Sequence, residues 1–155
     1  MALLDLAQLQ RQQQGPVTLA QVAERQDLSL SYLEQLFAKL RRAGLVKSVR
    51  GPGGGYELAK ATTETWLGDI ITAVNEATDM TRCGAANALG NPKAEDGCMS
   101  GDKCNAHYLW LSLSRHIGLF MQSVNLEMVL SGEVDREFVI PNLLHKNSGM
   151  QVSIA

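Results

Sequence analysis

Gly51-Pro52-Gly53-Gly54-Gly55 puts four glycines and a proline into five consecutive residues. Such a run cannot continue a helix or a central strand, because glycine loses the most backbone entropy on ordering and proline removes a backbone donor. The β-prone stretches on either side, residues 45–50 and 56–59, are therefore expected to pair as a β-hairpin with a glycine tip. As a phosphate cradle the run lacks the Lys-Ser/Thr pair and the following helix of a nucleotide-binding loop.

The residues before the hairpin give it a context. Residues 1–14 read as a helix without an N-cap, with Leu3, Leu6 and Ala7 on one side, so the chain is expected to start inside a helix; Gly15-Pro16 ends it. Thr18-x-x-Gln21 is a capping box that opens a short helix through Arg25, with Leu19, Val22 and Ala23 inward. A tight turn at Gln26-Asp27-Leu28 follows, and Ser29 or Ser31 (the latter with Glu34 at its third position) caps the next helix. Leu30, Leu33, Phe37 and Leu40 form its apolar stripe, and Gly44 stops it. Two short helices joined by a tight turn and followed by a hairpin predict a winged helix-turn-helix, the hairpin being the wing.

Charge supports that assignment by its distribution. The 155-residue chain carries a net charge of −2, but residues 1–56 hold +3 and residues 57–155 hold −5. Lys39, Arg41, Arg42, Lys47 and Arg50 stand between Gln35 and Tyr56 with no acid among them, the footprint of a phosphate-facing surface. In a winged helix the second helix enters the major groove. Ser29, Ser31, Tyr32, Gln35 and Lys39 avoid the apolar stripe and are expected to face DNA, Gln35 being suited to adenine. Glu34 repels phosphate but can accept from cytosine, so it discriminates more than it attracts. Arg50 is assigned to the minor groove, and Arg41, Arg42 and Lys47 to backbone phosphates. Ser48, Gly53 and Gly54 complete the DNA-facing set on the wing.

The second half carries different chemistry. Cys83, Cys98, Cys104 and His107 form C-x14-C-x5-C-x2-H, and they include every cysteine of the chain. Three thiols and an imidazole make a metal or iron–sulfur ligand set. The alternative, reduced thiols buried as small hydrophobes, fits poorly beside Gly84, Asp96, Gly97, Gly101, Asp102 and Lys103. The set lies in an irregular loop, residues 79–103, between a helix at 65–77 (Trp66, Ile70, Ala73, Val74 and Ala77 on one side) and a long helix at 104–124. Cys104 and His107, at i and i+3, share the first turn of that long helix. Its stripe of Leu109, Trp110, Leu113, Ile117, Phe120, Met121 and Val124 is too extensive for one small domain to cover, which points to a two-fold partner. One short helix is expected at 125–132, then a flexible tail. An odd number of cysteines and the lack of a signal peptide or membrane-length apolar run place the chain in the reducing cytoplasm. No orienting third group accompanies Cys104 and His107, so an enzyme is not expected.

The fold class predicted is mainly α with a small β-hairpin, divided as a winged helix-turn-helix DNA-binding domain (1–62), a cluster-binding loop with a dimerisation helix (63–132) and a tail (133–155). Three motifs in order, Ser29-Leu30-Ser31-Tyr32-Leu33-Glu34-Gln35-Leu36-Phe37, Ser48-Val49-Arg50-Gly51-Pro52-Gly53-Gly54-Gly55-Tyr56 and Gly101-Asp102-Lys103-Cys104-x-x-His107-x-x-Trp110, resemble the iron–sulfur cluster regulators of the Rrf-type winged-helix family. The resemblance covers about residues 1–132. It implies a bacterial homodimeric transcription factor on double-stranded promoter DNA, its long helices crossing at the two-fold axis. It implies a 2Fe-2S cluster on Cys83, Cys98, Cys104 and His107, received from the cluster-assembly machinery. Cluster occupancy would decide which promoters are bound, those of cluster-assembly genes included, with Glu34 tied to that discrimination and with Ser31, Gln35 and Arg50 contacting bases. A 4Fe-4S sensor of nitric oxide or iron in the same family, and a zinc-stabilised interaction domain on the same Cys3His set, are the alternatives. The sequence departs from the family pattern in two ways: residues 85–95 enlarge the loop between Cys83 and Cys98, and the pattern begins upstream of Met1, which reads as an internal methionine. A longer loop adds little closure entropy, so ligation by Cys83 is retained.

Overall fold

A computed structural model of the chain describes residues 1–74 and 105–134. In chain order the elements are α1 (Ala2–Gln13), α2 (Leu19–Gln26), α3 (Leu30–Arg42), β1 (Val46–Val49), β2 (Gly55–Leu58), a 3-10 turn (Thr62–Glu64), α4 (Leu67–Val74), α5 (His107–Ser123) and α6 (Leu126–Ser131). The fold is mostly helical with one two-stranded antiparallel hairpin, as the patterning predicts.

Local chemistry explains where the helices start and stop. The Thr18 hydroxyl accepts from the Gln21 amide while the Gln21 side chain accepts from the Thr18 amide, a complete capping box. Asp27 closes α2 in a left-handed conformation, φ 51°. Of the two candidate serines it is Ser29 that caps α3, its Oγ accepting from the Tyr32 amide at 3.2 Å. Asn125 caps α6 in the same way, and Gly132 ends it in the left-handed region.

The core forms where the apolar stripes meet. Leu33, Phe37 and Leu40 of α3 are fully buried and pack in one cluster with Leu3, Leu6 and Ala7 of α1 and Val22 of α2. Leu30, at the first helical position, lies outside the cluster and is exposed. The cluster continues into Leu45, Val46 and Leu58 at the base of the wing, and into Val74 and Leu126, so α4 and α6 sit on the winged-helix core itself.

Strand register places Val46 opposite Leu58, Lys47 opposite Glu57, Ser48 opposite Tyr56 and Val49 opposite Gly55. Val17 bridges the outer edge of β2, exchanging backbone hydrogen bonds of 2.9 and 2.7 Å with Tyr56. The Tyr56 ring meets Phe37 edge-on at 5.1 Å, which ties the wing to α3. At Gly54 a Cβ would lie 2.4 Å from the Val49 carbonyl oxygen, so only glycine fits this close turn.

The helix expected from residue 65 begins instead at Leu67. Trp66 is held in an antiparallel bridge to Asn125, with the Leu67 amide bonded to the Val124 carbonyl and the Leu126 amide to that of Thr65, both at 2.9 Å. Strand-like pairing thus takes the residues that helix periodicity alone would claim, and it leaves Trp66 exposed. On α5, Ile117, Phe120 and Met121 are half-buried, whereas Tyr108, Leu109 and Leu113 are exposed. Residues 75–104 and 135–155, which carry the expected ligand loop and tail, lie outside the described residues. Among the described residues no helix is long and apolar enough to cross a membrane.

Candidate nucleic-acid interface

Helix periodicity sorts the residues of α3. At about 100° per residue, Leu33, Phe37 and Leu40 share the core side, and Ser31, Gln35, Ala38 and Arg42 lie opposite them. Ser31, Glu34, Gln35, Arg41 and Arg42 are all exposed. They form one outward surface with the polar donors and acceptors that base edges and phosphates require. Arg42 Nε donates to the Ala38 carbonyl at 3.3 Å, which holds that guanidinium along the helix.

Tyr32, Leu36 and Lys39 fall on a third side, toward α4. Tyr32, though half-exposed, lines an apolar groove of about 610 Å³ with Leu28, Leu36, Ile70 and Met121. Lys39 Nζ donates to the Val74 carbonyl at 3.0 Å. Ser29 spends its hydroxyl on the helix cap.

On the wing, Lys47 pairs with Glu57 across the strands at 3.0 Å. Any contact from Lys47 to a phosphate therefore competes with an acid already in place. Ser48, Arg50 and Gly53 are exposed, and the Arg50 guanidinium has no hydrogen bond or ion pair among the described residues. The outward row of α3 and Arg50 thus stand exposed on two separate elements, the helix and the hairpin.

His107 opens α5 and is 6% exposed, its ring edge-on to Tyr108 at 5.4 Å. Its Nδ1 is buried and has no hydrogen-bond partner among the described residues. A buried imidazole nitrogen normally finds a partner, and one left bare is available to a ligand atom or metal. Cys83, Cys98 and Cys104 lie outside the described residues.

Residues 1–132 match the Rrf2 family, described as iron-dependent transcriptional regulators. The chain belongs to the Rrf2 family. Among curated Rrf2-like relatives, the regulator IscR of Serratia proteamaculans is 47% identical over 132 residues, 85% of this chain and 74% of its own length. The HTH-type regulator ORF2 of Azotobacter vinelandii is 50% identical over 125 residues, 81% of this chain and 70% of its own. Among solved structures, T. potens IscR superposes with a TM-score of 0.62 at 34% identity, covering 92% of this chain and 87% of that one. CymR of B. subtilis, a global cysteine regulator, gives a TM-score of 0.62 at 28% identity over 84% of this chain and 91% of its own. The resemblance read from the three motifs and the winged-helix reading are both upheld, and the protein is a transcriptional regulator of a DNA-binding family rather than an enzyme.

Two polar clusters of this Rrf2 fold escaped the sequence reading. Asp5, 7% exposed on the apolar side of α1, receives both Nε and Nη2 of Arg25 at 3.2 Å and the amide of Gln26, which locks α1 to α2. An acid within the Leu3-Leu6 stripe was the available signal. Arg11 and Thr62 both donate to Glu127, joining α1, the 3-10 turn and α6. These hydrogen bonds, Thr62 first and then Arg11, hold the Glu127 carboxyl below the ordinary glutamate range.

Proposed function

We propose that this Rrf2 protein is a homodimeric iron–sulfur-cluster-sensing regulator that binds double-stranded promoter DNA, with 2Fe-2S occupancy controlling which sites it selects, those of cluster-assembly genes among them. The observation that carries the reading is His107: a buried imidazole with a bare Nδ1, three residues after Cys104, at the start of the helix that follows the cysteine segment. Relatives named IscR in several bacteria are regulators, that of Serratia proteamaculans 47% identical over 132 residues. Cys83, Cys98, Cys104 and His107 would hold the cluster. When bound, such a cluster supplies an iron- and redox-dependent centre, and one neutral, titratable imidazole among anionic thiolates makes for looser, pH-tuned retention than an all-thiolate set.

The residues of the chain itself supply the rest. Gln35 and Ser31 read base edges from the outward row of α3, Glu34 discriminates between sites, and Arg50 enters the minor groove from the wing. Arg41, Arg42 and Lys47 set register on phosphates. Tyr108, Leu109 and Leu113 leave an exposed apolar face on α5 that suits a two-fold partner. A cytoplasmic setting and a cluster-assembly donor complete the proposal.

Purification without oxygen tests it. The protein should be red-brown, with iron and sulfide in equal amounts, and His107→Ala should lose that absorbance while still melting cooperatively. A colourless protein loaded with zinc would replace the sensor by a zinc-stabilised module on the same ligands.

A further inference from the structure

Lys47 and Glu57 stand opposite each other across the wing, their strands in register and their charged groups 3.0 Å apart. The neighbouring pair, Val46 and Leu58, is buried in the core. Strand alternation therefore turns Lys47 and Glu57 to the solvent face of the hairpin. An acid there works against a phosphate-facing surface. From Leu28 to Leu58 the chain has the bases Lys39, Arg41, Arg42, Lys47 and Arg50, and the acids Glu34 and Glu57. Among the described residues, Lys47 is the one base of that set held in an ion pair.

The two partners are not equivalent. The Glu57 side chain is 20% exposed and that of Lys47 61%, so the acid lies close against the hairpin while the ammonium ends a long flexible stem. A pair this exposed adds little to the stability of the fold, and the ammonium can leave for another anion without repacking the core. A DNA phosphate is such an anion, but the exchange strands an unpaired carboxylate beside the duplex. The exchange is therefore favourable only where the wing is pressed against the backbone. Arg50, three residues on from Lys47, lies about 10 Å along the strand direction. That is about one Debye length at ~0.1 M salt, so a seated Arg50 brings phosphates into the field of Lys47.

We infer that Glu57 is a specificity-determining residue for DNA binding: it keeps Lys47 off the phosphates of sequences on which Arg50 is not seated, and yields it where Arg50 is. The inference rests on the wing reading above and is independent of the cluster. Glu57 thereby lowers affinity for random DNA more than for selected sites, although it acts through Lys47 and reads no base itself. Discrimination by an element set against the wrong partner is the logic involved.

The test measures dissociation constants of the full chain against salt on two duplexes, one selected from random sequence by the wild type and one scrambled. Glu57→Gln should bind the scrambled duplex several-fold more tightly, with a salt slope steeper by about 1, the signature of one further phosphate contact. On the selected duplex its affinity and slope should stay close to wild type, so the ratio between the two duplexes falls. Glu57→Leu, which also removes the charge, should behave alike and keeps the test readable if thermal melting shows either variant misfolded. In a Lys47→Met background, Glu57→Gln should lose its effect. A gain that persists there would make Glu57 a direct repellent of DNA and overturn the inference. Equal gains on both duplexes would overturn it too, as would unchanged constants and slopes, which would leave the pair a structural contact. Failure of the wing reading shows separately: Arg50→Ala would then bind the selected duplex as tightly as the wild type, and the inference would fall with it.

Discussion

Gln35 and Arg41 share the solvent side of α3 but would act on DNA differently. Gln35 offers a donor and an acceptor to a base edge, so Gln35→Ala should weaken selected sites by about 1–3 kcal/mol and leave random DNA nearly unaffected. Arg41→Ala should weaken all sequences alike and lower the salt slope by about 1. Titration of both variants on selected and scrambled duplexes separates the two roles, and equal losses for Gln35→Ala on both would remove it from base readout. Glu127 gives a second residue-level prediction. Its folded carboxyl titrates below the ordinary 4.5 because Thr62 and then Arg11 donate to it. A depressed carboxyl contributes stability above its unfolded pKa and loses it as pH falls through the folded value. The melting-temperature gap between wild type and Glu127→Gln should therefore be constant at neutral pH and narrow below 4.5; a gap that persists into acid would contradict the assignment. The outward row of α3 was legible because a helix stripe dictates its opposite face. The carbonyl partner of Lys39 was not, because no local pattern connects residues that meet only through the packing of α3 on α4.

At the scale of elements, signals written in adjacent residues transferred faithfully. The Thr18–Gln21 capping box, the Gly51–Gly55 wing and the Asn125–Gly132 helix limits all follow from side-chain or backbone chemistry within a few residues. Thr18→Ala should remove the hydroxyl half of the capping box and destabilise the fold by about 1 kcal/mol, measured by urea unfolding; an unchanged midpoint would show α2 to be held by packing alone. Boundaries set by partners far along the chain were harder. The start of α4 is fixed by the Trp66–Asn125 bridge. The helix pattern through residues 65–77 did not contain that fact.

Across the whole molecule, one continuous core joins the winged helix to α4 and α6. The exposed Tyr108, Leu109 and Leu113 face is where the proposed two-fold partner would pack. Leu113→Asp should shift the protein from dimer to monomer in sedimentation, since a charge in an apolar two-fold seam is placed against its own copy; an undiminished dimer would move the interface elsewhere. The ligand set was proposed from its cysteine and histidine spacing, and of its four members only His107, whose Nδ1 is buried without a partner among the described residues, lies within them. The claim that binds these scales together is that cluster occupancy selects DNA sites. It is tested most directly by the dissociation constants of cluster-loaded and cluster-free wild-type protein, measured without oxygen on the duplex that the loaded protein selects from random sequence. The account predicts clearly tighter binding by the loaded form. Identical constants for the two forms, the loaded one being fully loaded and red-brown, would contradict it.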